Sequence, residues 1–83
     1  MIILRYEILK HQKIRDLRND NDLSQKTIAK YLNIAQNTYS QYELNERNIP
    51  IDALVKLADY YNTSVDYLLG RTDEKNPYPK NKR

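Results

Sequence analysis

Residues 23–44 read Leu23-Ser24-Gln25-Lys26-Thr27-Ile28-Ala29-Lys30-Tyr31-Leu32-Asn33-Ile34-Ala35-Gln36-Asn37-Thr38-Tyr39-Ser40-Gln41-Tyr42-Glu43-Leu44. Two short helices fit this stretch. Ser24 is a good N-cap, and Gln25 to Leu32 follows it with Ile28, Ala29 and Leu32 facing inward. Asn33-Ile34-Ala35 makes a tight turn. Gln36 to Leu44 is the next helix, with Tyr39 and Tyr42 three apart on one face. Ala29 must be small where the two helices cross. Ile34 and Tyr39 must be apolar to lock the later helix in place. Its outward positions, Gln36, Asn37, Ser40 and Gln41, are all polar.

Working outward, the rest of the chain also reads as helix. Glycine occurs once, at Gly70, and the prolines are Pro50, Pro77 and Pro79. So few breakers before position 70 favour helices. Upstream, a first helix is expected from near Tyr6 to near Asp20, with Ile14 and Leu17 inward. The polar run Asn19-Asp20-Asn21-Asp22 ends it. Ile2-Leu4-Tyr6-Ile8 also alternates as a strand would, but the helical reading is preferred; Met1 to Leu9 then serves as an added turn covering the core, the alternative being an apolar patch for a second subunit. Downstream, Pro50 suits a helix start. Ile51, Leu54, Val55, Leu57, Ala58 and Tyr61 then form a fourth helix. Ser64 caps a fifth, Val65 to Leu69, which Gly70 stops. The expected fold is therefore all-α: five helices in one domain over 1–70, followed by a disordered basic tail over 71–83.

Composition excludes several classes. There is no cysteine, so neither a disulfide framework nor a thiolate metal site exists. A reducing, cytoplasmic setting fits. His11 is the only histidine and has no carboxylate cluster at ligand spacing, so it reads as a surface residue and no metal or other cofactor is expected. The longest apolar run, Met1 to Leu4, is too short for a membrane span or signal-peptide core. No nucleophile–base pair or glycine-rich phosphate loop is present, which argues against an enzyme. The pI of about 9.2 invites a nucleic-acid partner. Yet residues 1–70 hold nine Lys/Arg and nine Asp/Glu, and the net +3 comes entirely from the tail. Local pattern, not net charge, must carry the argument.

That pattern has the dimensions of a helix-turn-helix. Gln and Asn on its outer face suit bidentate hydrogen bonds to adenine in the major groove. Leu23-Ser24-Gln25, Ile28-Ala29, Leu32, Ile34, Thr38-Tyr39, Tyr42-Glu43, Arg47, Pro50, Leu54, Leu57-Ala58 and Ser64-Val65-Asp66-Tyr67-Leu68-Leu69-Gly70 stand in an order and spacing that resemble the Cro and lambda-repressor (XRE) family. The resemblance covers about residues 13–70. It implies a lambda-repressor-like domain and a sequence-specific transcriptional regulator, most simply a repressor, acting as a homodimer on double-stranded DNA. It implies base contacts from Gln36, Asn37 and Gln41. Backbone contacts are expected from Gln25, Thr38, Ser40, Tyr42 and Arg47. Arg18 and Glu43 are expected to pair, tying the first helix to the third. Pairing of two copies is expected through the C-terminal part, where Tyr60, Tyr67 and Leu68 offer apolar area.

Four positions depart from the family pattern. Asn33 and Asn45 stand where glycines are common; asparagine tolerates the left-handed conformation there. Ala35 replaces a capping Ser or Thr, a loss of about 1 kcal/mol. Glu46 is acidic where a lysine is common, which removes one phosphate contact. Lys26 and Lys30 serve equally well as solvated or phosphate-bound side chains. The competing function is a protein-interaction module of the same fold, such as an antitoxin that neutralises a toxin.

Overall fold

Five helices, α1 (Gln12–Asp20), α2 (Gln25–Leu32), α3 (Gln36–Glu43), α4 (Ile51–Tyr60) and α5 (Val65–Leu68), follow one another in a computed structural model that describes residues 12–77. No strand occurs among the described residues. The expected helix start near Tyr6, the Met1–Leu9 stretch, His11 and the tail beyond Pro77 lie outside them.

All five helices stop in the same way. The residue after each last turn takes a left-handed conformation: Asp22 (φ 55°), Asn33 (60°), Asn45 (64°), Asn62 (54°) and Gly70 (76°). In every case two backbone bonds close the end. After α2, Ile34 N donates to Ala29 O at 3.0 Å and Asn33 N to Lys30 O at 3.1 Å. After α3, Glu46 N donates to Gln41 O at 2.9 Å and Asn45 N to Tyr42 O at 3.1 Å. This is the Schellman arrangement, which satisfies carbonyls that would otherwise lack partners. Only one of the five positions is glycine. Asn and Asp fill the rest because their short polar side chains tolerate this region better than other L-residues.

Helix starts are less uniform. Ser24 Oγ accepts from Thr27 N at 3.1 Å, and Ser64 Oγ from Tyr67 N at 3.0 Å. Ala35 and Pro50 precede α3 and α4 without a side-chain cap. The third helix ends at Glu43 rather than Leu44, because Leu44 is the cap residue and is exposed. Tyr61 and Leu69 are likewise caps of α4 and α5.

The core joins Ile14 and Leu17 of α1, Ile28, Ala29 and Leu32 of α2, Tyr39 and Tyr42 of α3, Leu54, Leu57 and Ala58 of α4, and Leu68 of α5. Ile49, from the loop before α4, completes it. Burying such side chains stabilises by roughly 1.5–3 kcal/mol each. Leu68 is 1% exposed, so it belongs to the core and not to a pairing surface. Tyr67 lies under the Lys13 ammonium at 4.6 Å, and Tyr60 stacks on Tyr31 with ring centres 4.7 Å apart. The Tyr31 hydroxyl donates to Lys56 O at 2.9 Å, tying α2 to α4. After Gly70 the chain turns back: the Thr63 hydroxyl donates to the Lys75 carbonyl.

The shared helix endings set a direct test. Asn33→Ala is expected to destabilise the domain by about 1 kcal/mol, because alanine pays the full left-handed penalty. Asn33→Gly should be neutral or slightly stabilising. Urea unfolding midpoints at unchanged slope check both; equal destabilisation by Ala and Gly would show that the asparagine side chain, not the backbone conformation, matters.

Candidate nucleic-acid interface

Helix α3 is held from behind by a buried charge. The Glu43 side chain is 3% exposed and that of Arg18 is 13% exposed. Arg18 Nε donates to Glu43 Oε2 at 2.6 Å and Nη2 donates to Oε1 at 3.0 Å, a two-pronged pair. Gln25 Nε2 adds a third bond to Oε1 at 3.0 Å. The remaining Arg18 arm, Nη1, donates to Leu23 O at 2.7 Å. One guanidinium thus joins α1, the α1–α2 turn and α3, while Glu43 brings in the first turn of α2.

The electrostatics follow. Burial works against the Glu43 charge, but the hydrogen bonds, that from Arg18 foremost, outweigh it and hold the carboxyl below its ordinary value. The carboxylate bond raises the Arg18 pKa in return. The Tyr39 hydroxyl is buried next to this pair; burial first, and Glu43 second, push its pKa far above that of a free tyrosine. Tyr39 therefore stays neutral and packs edge-on to Tyr42, ring centres 6.3 Å apart.

With its inner face fixed, α3 presents its polar face outward. Gln36 and Asn37 are exposed; Thr38, Ser40 and Gln41 are half-buried. Gln36, Asn37, Ser40 and Gln41 recur at helical spacing along that side. Gln25 is half-buried, with one amide hydrogen on Glu43 and the other not used in that bond. Tyr42 is 4% exposed, so it serves mainly as core. Arg47 is exposed in the loop beyond α3, and its Nε donates to Gln41 Oε1 at 2.9 Å. That bond escaped the sequence reading. No helical rule pairs residues six apart; only the reversal at Asn45 brings them together. Lys26 and Lys30 are exposed on α2.

Among the described residues no cluster of three or more His, Asp or Glu fits a metal ion. No described helix is long and apolar enough to cross a membrane.

Two short helices, a left-handed turn at Asn33 and a polar outer face on the second helix define a helix-turn-helix domain. Residues 14–68 match the helix-turn-helix family. The chain is similar to the uncharacterized HTH-type transcriptional regulator YobD of Bacillus subtilis, 41% identical over 66 residues, 80% of this chain and 59% of that protein. It is also similar to the cryptic phage CTXphi transcriptional repressor RstR of Vibrio cholerae, 33% identical over 61 residues, 74% of this chain and 55% of that one. Control protein C.SmaI of Serratia marcescens is 37% identical over 65 residues, 78% of this chain and 77% of that protein. The chain spans little more than half the length of the first two. It belongs to the helix-turn-helix family of XRE type, a family of DNA-binding transcriptional regulators and not of enzymes.

Removing one partner of a buried pair leaves the other charge uncompensated, so Arg18→Ala should cost about 3–5 kcal/mol of stability. That is a large part of what a domain of this size has. The pH response has a definite sign. Glu43 is more acidic folded than unfolded, where its value is about 4.5. Its contribution is full above that pH and falls away as pH drops through the depressed folded value. Thermal melts between pH 7 and 3 should show this acid loss in the parent chain, and a smaller one in Glu43→Gln, which starts from a lower stability. An identical acid profile in both would contradict the assignment.

Proposed function

We propose that this chain is a sequence-specific transcriptional repressor that lays α3 in the major groove of double-stranded DNA. The observation that carries the reading is the polar face Gln36–Asn37–Gln41 on a helix anchored from behind by Arg18, Glu43 and Tyr39. Gln36, Asn37 and Gln41 read base edges. Gln25, Thr38, Ser40 and Arg47 contact the sugar-phosphate backbone and set the register, with a minor part for what little of Tyr42 is exposed. The repressor assignment rests on the likeness to RstR, itself described as a transcriptional repressor.

The protein acts as a homodimer. Eight residues of α3 span about 12 Å, enough for only a few base pairs. One such helix reads too little sequence to find a site in a genome. A second copy doubles the site. The sequence placed the pairing surface on Tyr60, Tyr67 and Leu68; Leu68 is buried, Tyr67 is half-buried under Lys13, and Tyr60 is exposed beside Tyr31. Ile51 and Val55, one turn apart on α4, are 74% and 46% exposed and offer further apolar area. Two-fold pairing must set the recognition helices about 34 Å apart, one turn of B-DNA.

Gln36→Ala should weaken binding to the selected site by about 1–3 kcal/mol and leave binding to random DNA nearly unchanged. Titrations at fixed salt decide it; equal loss on both DNAs would sink the base-reading role.

The dimer sets a second expectation. Footprints should show half-sites centred about 10 base pairs apart. Val55→Asp should stay folded by circular dichroism yet protect the site only at much higher protein concentration. A parent chain that saturates one half-site as a monomer in sedimentation would rule the dimer out.

A further inference from the structure

The outward face of α3 does not stay polar to its end. Among the described residues five large apolar side chains are exposed. Tyr31 and Tyr60 stack on each other, and Ile51 and Val55 share one side of α4. Leu44 is the fifth, 61% exposed. It is the cap residue of α3, yet it still follows the helical track: φ is −83°, ψ is 0°, and its N–H donates to Ser40 O at 3.0 Å. The helical period therefore assigns its direction. At about 100° per residue, Leu44 stands roughly 20° round the axis from Asn37 and about 60° from Gln41. The buried Tyr39 lies about 140° away. Asn37, Gln41 and Leu44 thus form one outward stripe, at i, i+4 and i+7. The backbone beyond it is held as well, since Asn45 N donates to Tyr42 O at 3.1 Å. A lone exposed leucine is ordinary on a protein surface. This one ends the line of side chains that faces the groove.

Resting on the DNA-reading role proposed above, we propose that Leu44 is a further specificity-determining residue, which selects thymine by packing on its C5-methyl group. The major-groove edges of guanine and adenine present N7 together with O6 or the N6 amino group, all polar. A leucine laid on them displaces water and offers no hydrogen bond in return. Cytosine presents its N4 amino group and carries only hydrogen at C5. Thymine alone shows a methyl group in the groove. Leucine against that methyl removes apolar surface from water on both partners. The amides at positions 36, 37 and 41 read polar edges; Leu44 adds an apolar contact that none of them can make. Such a contact does not depend on charge and is screened little by salt.

The test starts from the sequence that the parent chain selects out of random duplex DNA at one stated salt concentration. Each thymine of that site is replaced in turn by deoxyuridine, which lacks only the methyl group. At one position the parent chain should bind about fourfold more weakly, which is what burying one methyl group contributes. Leu44→Ala should stay folded by circular dichroism, bind the thymine site more weakly, and be indifferent to uracil at that position. Gln36→Ala should keep the parent chain's response to uracil there. 5-Methylcytosine should be preferred to cytosine at the same position by the parent chain and not by Leu44→Ala. If no thymine is sensitive in the parent chain, or Leu44→Ala responds to uracil as the parent does, the proposal is overturned and the reading role of Gln36 stands. Equal loss on thymine and uracil DNA in Leu44→Ala would put the leucine on the sugar-phosphate chain. A weaker self-association of Leu44→Ala in sedimentation would put it between two copies. Either result overturns the proposal too. A parent chain that selects no sequence overturns both this proposal and the DNA-reading role.

Discussion

The buried pair of Arg18 and Glu43 is the constraint on which the rest of the domain depends. A carboxylate in the last turn of α3 stands where the helix macrodipole is already negative, an unfavourable place for it. Burial makes it worse. The guanidinium answers both, and its spare arm on Leu23 O fixes the turn that leads into α2. Gln25 then closes the circle from the first turn of α2. A wholly apolar contact of the same volume would be as stable or more so. What the pair adds is direction: it has one good geometry, and that geometry sets how far α3 stands out from α1 and α2.

The helix endings do the complementary work. Each helix is short, between four and ten residues, and would be marginal alone. Repeating one ending five times gives tight reversals without long loops, so small apolar stripes on successive helices meet in a single core. At the end of α2 the reversal aims α3 outward. At the end of α3 it returns Arg47 to Gln41. The same backbone device that completes the fold therefore also shapes the polar face.

Much of this was legible in the sequence because it is written in local signals. Ser24 and Ser64 as caps and the inward stripe Ile28-Ala29-Leu32 follow from spacing and side-chain chemistry, whereas Asn33 and Asn45 as left-handed residues came from the resemblance, which has glycines at those positions. The pairing of Arg18 with Glu43 did not. Twenty-five residues separate them, and only the resemblance to a known family put them together. Ile49 joined the core from a loop, where no period exists to reveal it. Leu68 and Tyr67 are neighbours on one short helix, and four residues carry too little periodicity to say which points in. The Thr63–Lys75 contact uses a backbone carbonyl, to which side-chain identity is blind. Of the polar face, Gln36, Asn37 and Gln41 could be read from the helix period; the Arg47 contact could not, since it depends on where the chain goes after the helix has ended.

Charge explains why such geometric control matters here. Positions 1–70 sum to zero, and the segment from Gln36 to Arg47 carries Glu43, Glu46 and Arg47 only. Glu43 is spent on Arg18, which leaves one acid and one base at the rim. Sequence-independent attraction to phosphate, which supplies most of the affinity of strongly basic proteins, is weak for such a surface. Exposed Lys26 and Lys30 add a little. A domain that holds DNA loosely through charge has to gain its discrimination from hydrogen bonds of fixed direction. The anchored back of α3 fixes the helix, and the loop beyond it lays Arg47 on Gln41. Rigidity supplied from two sides stands in for the positive charge that the segment from Gln36 to Arg47 lacks.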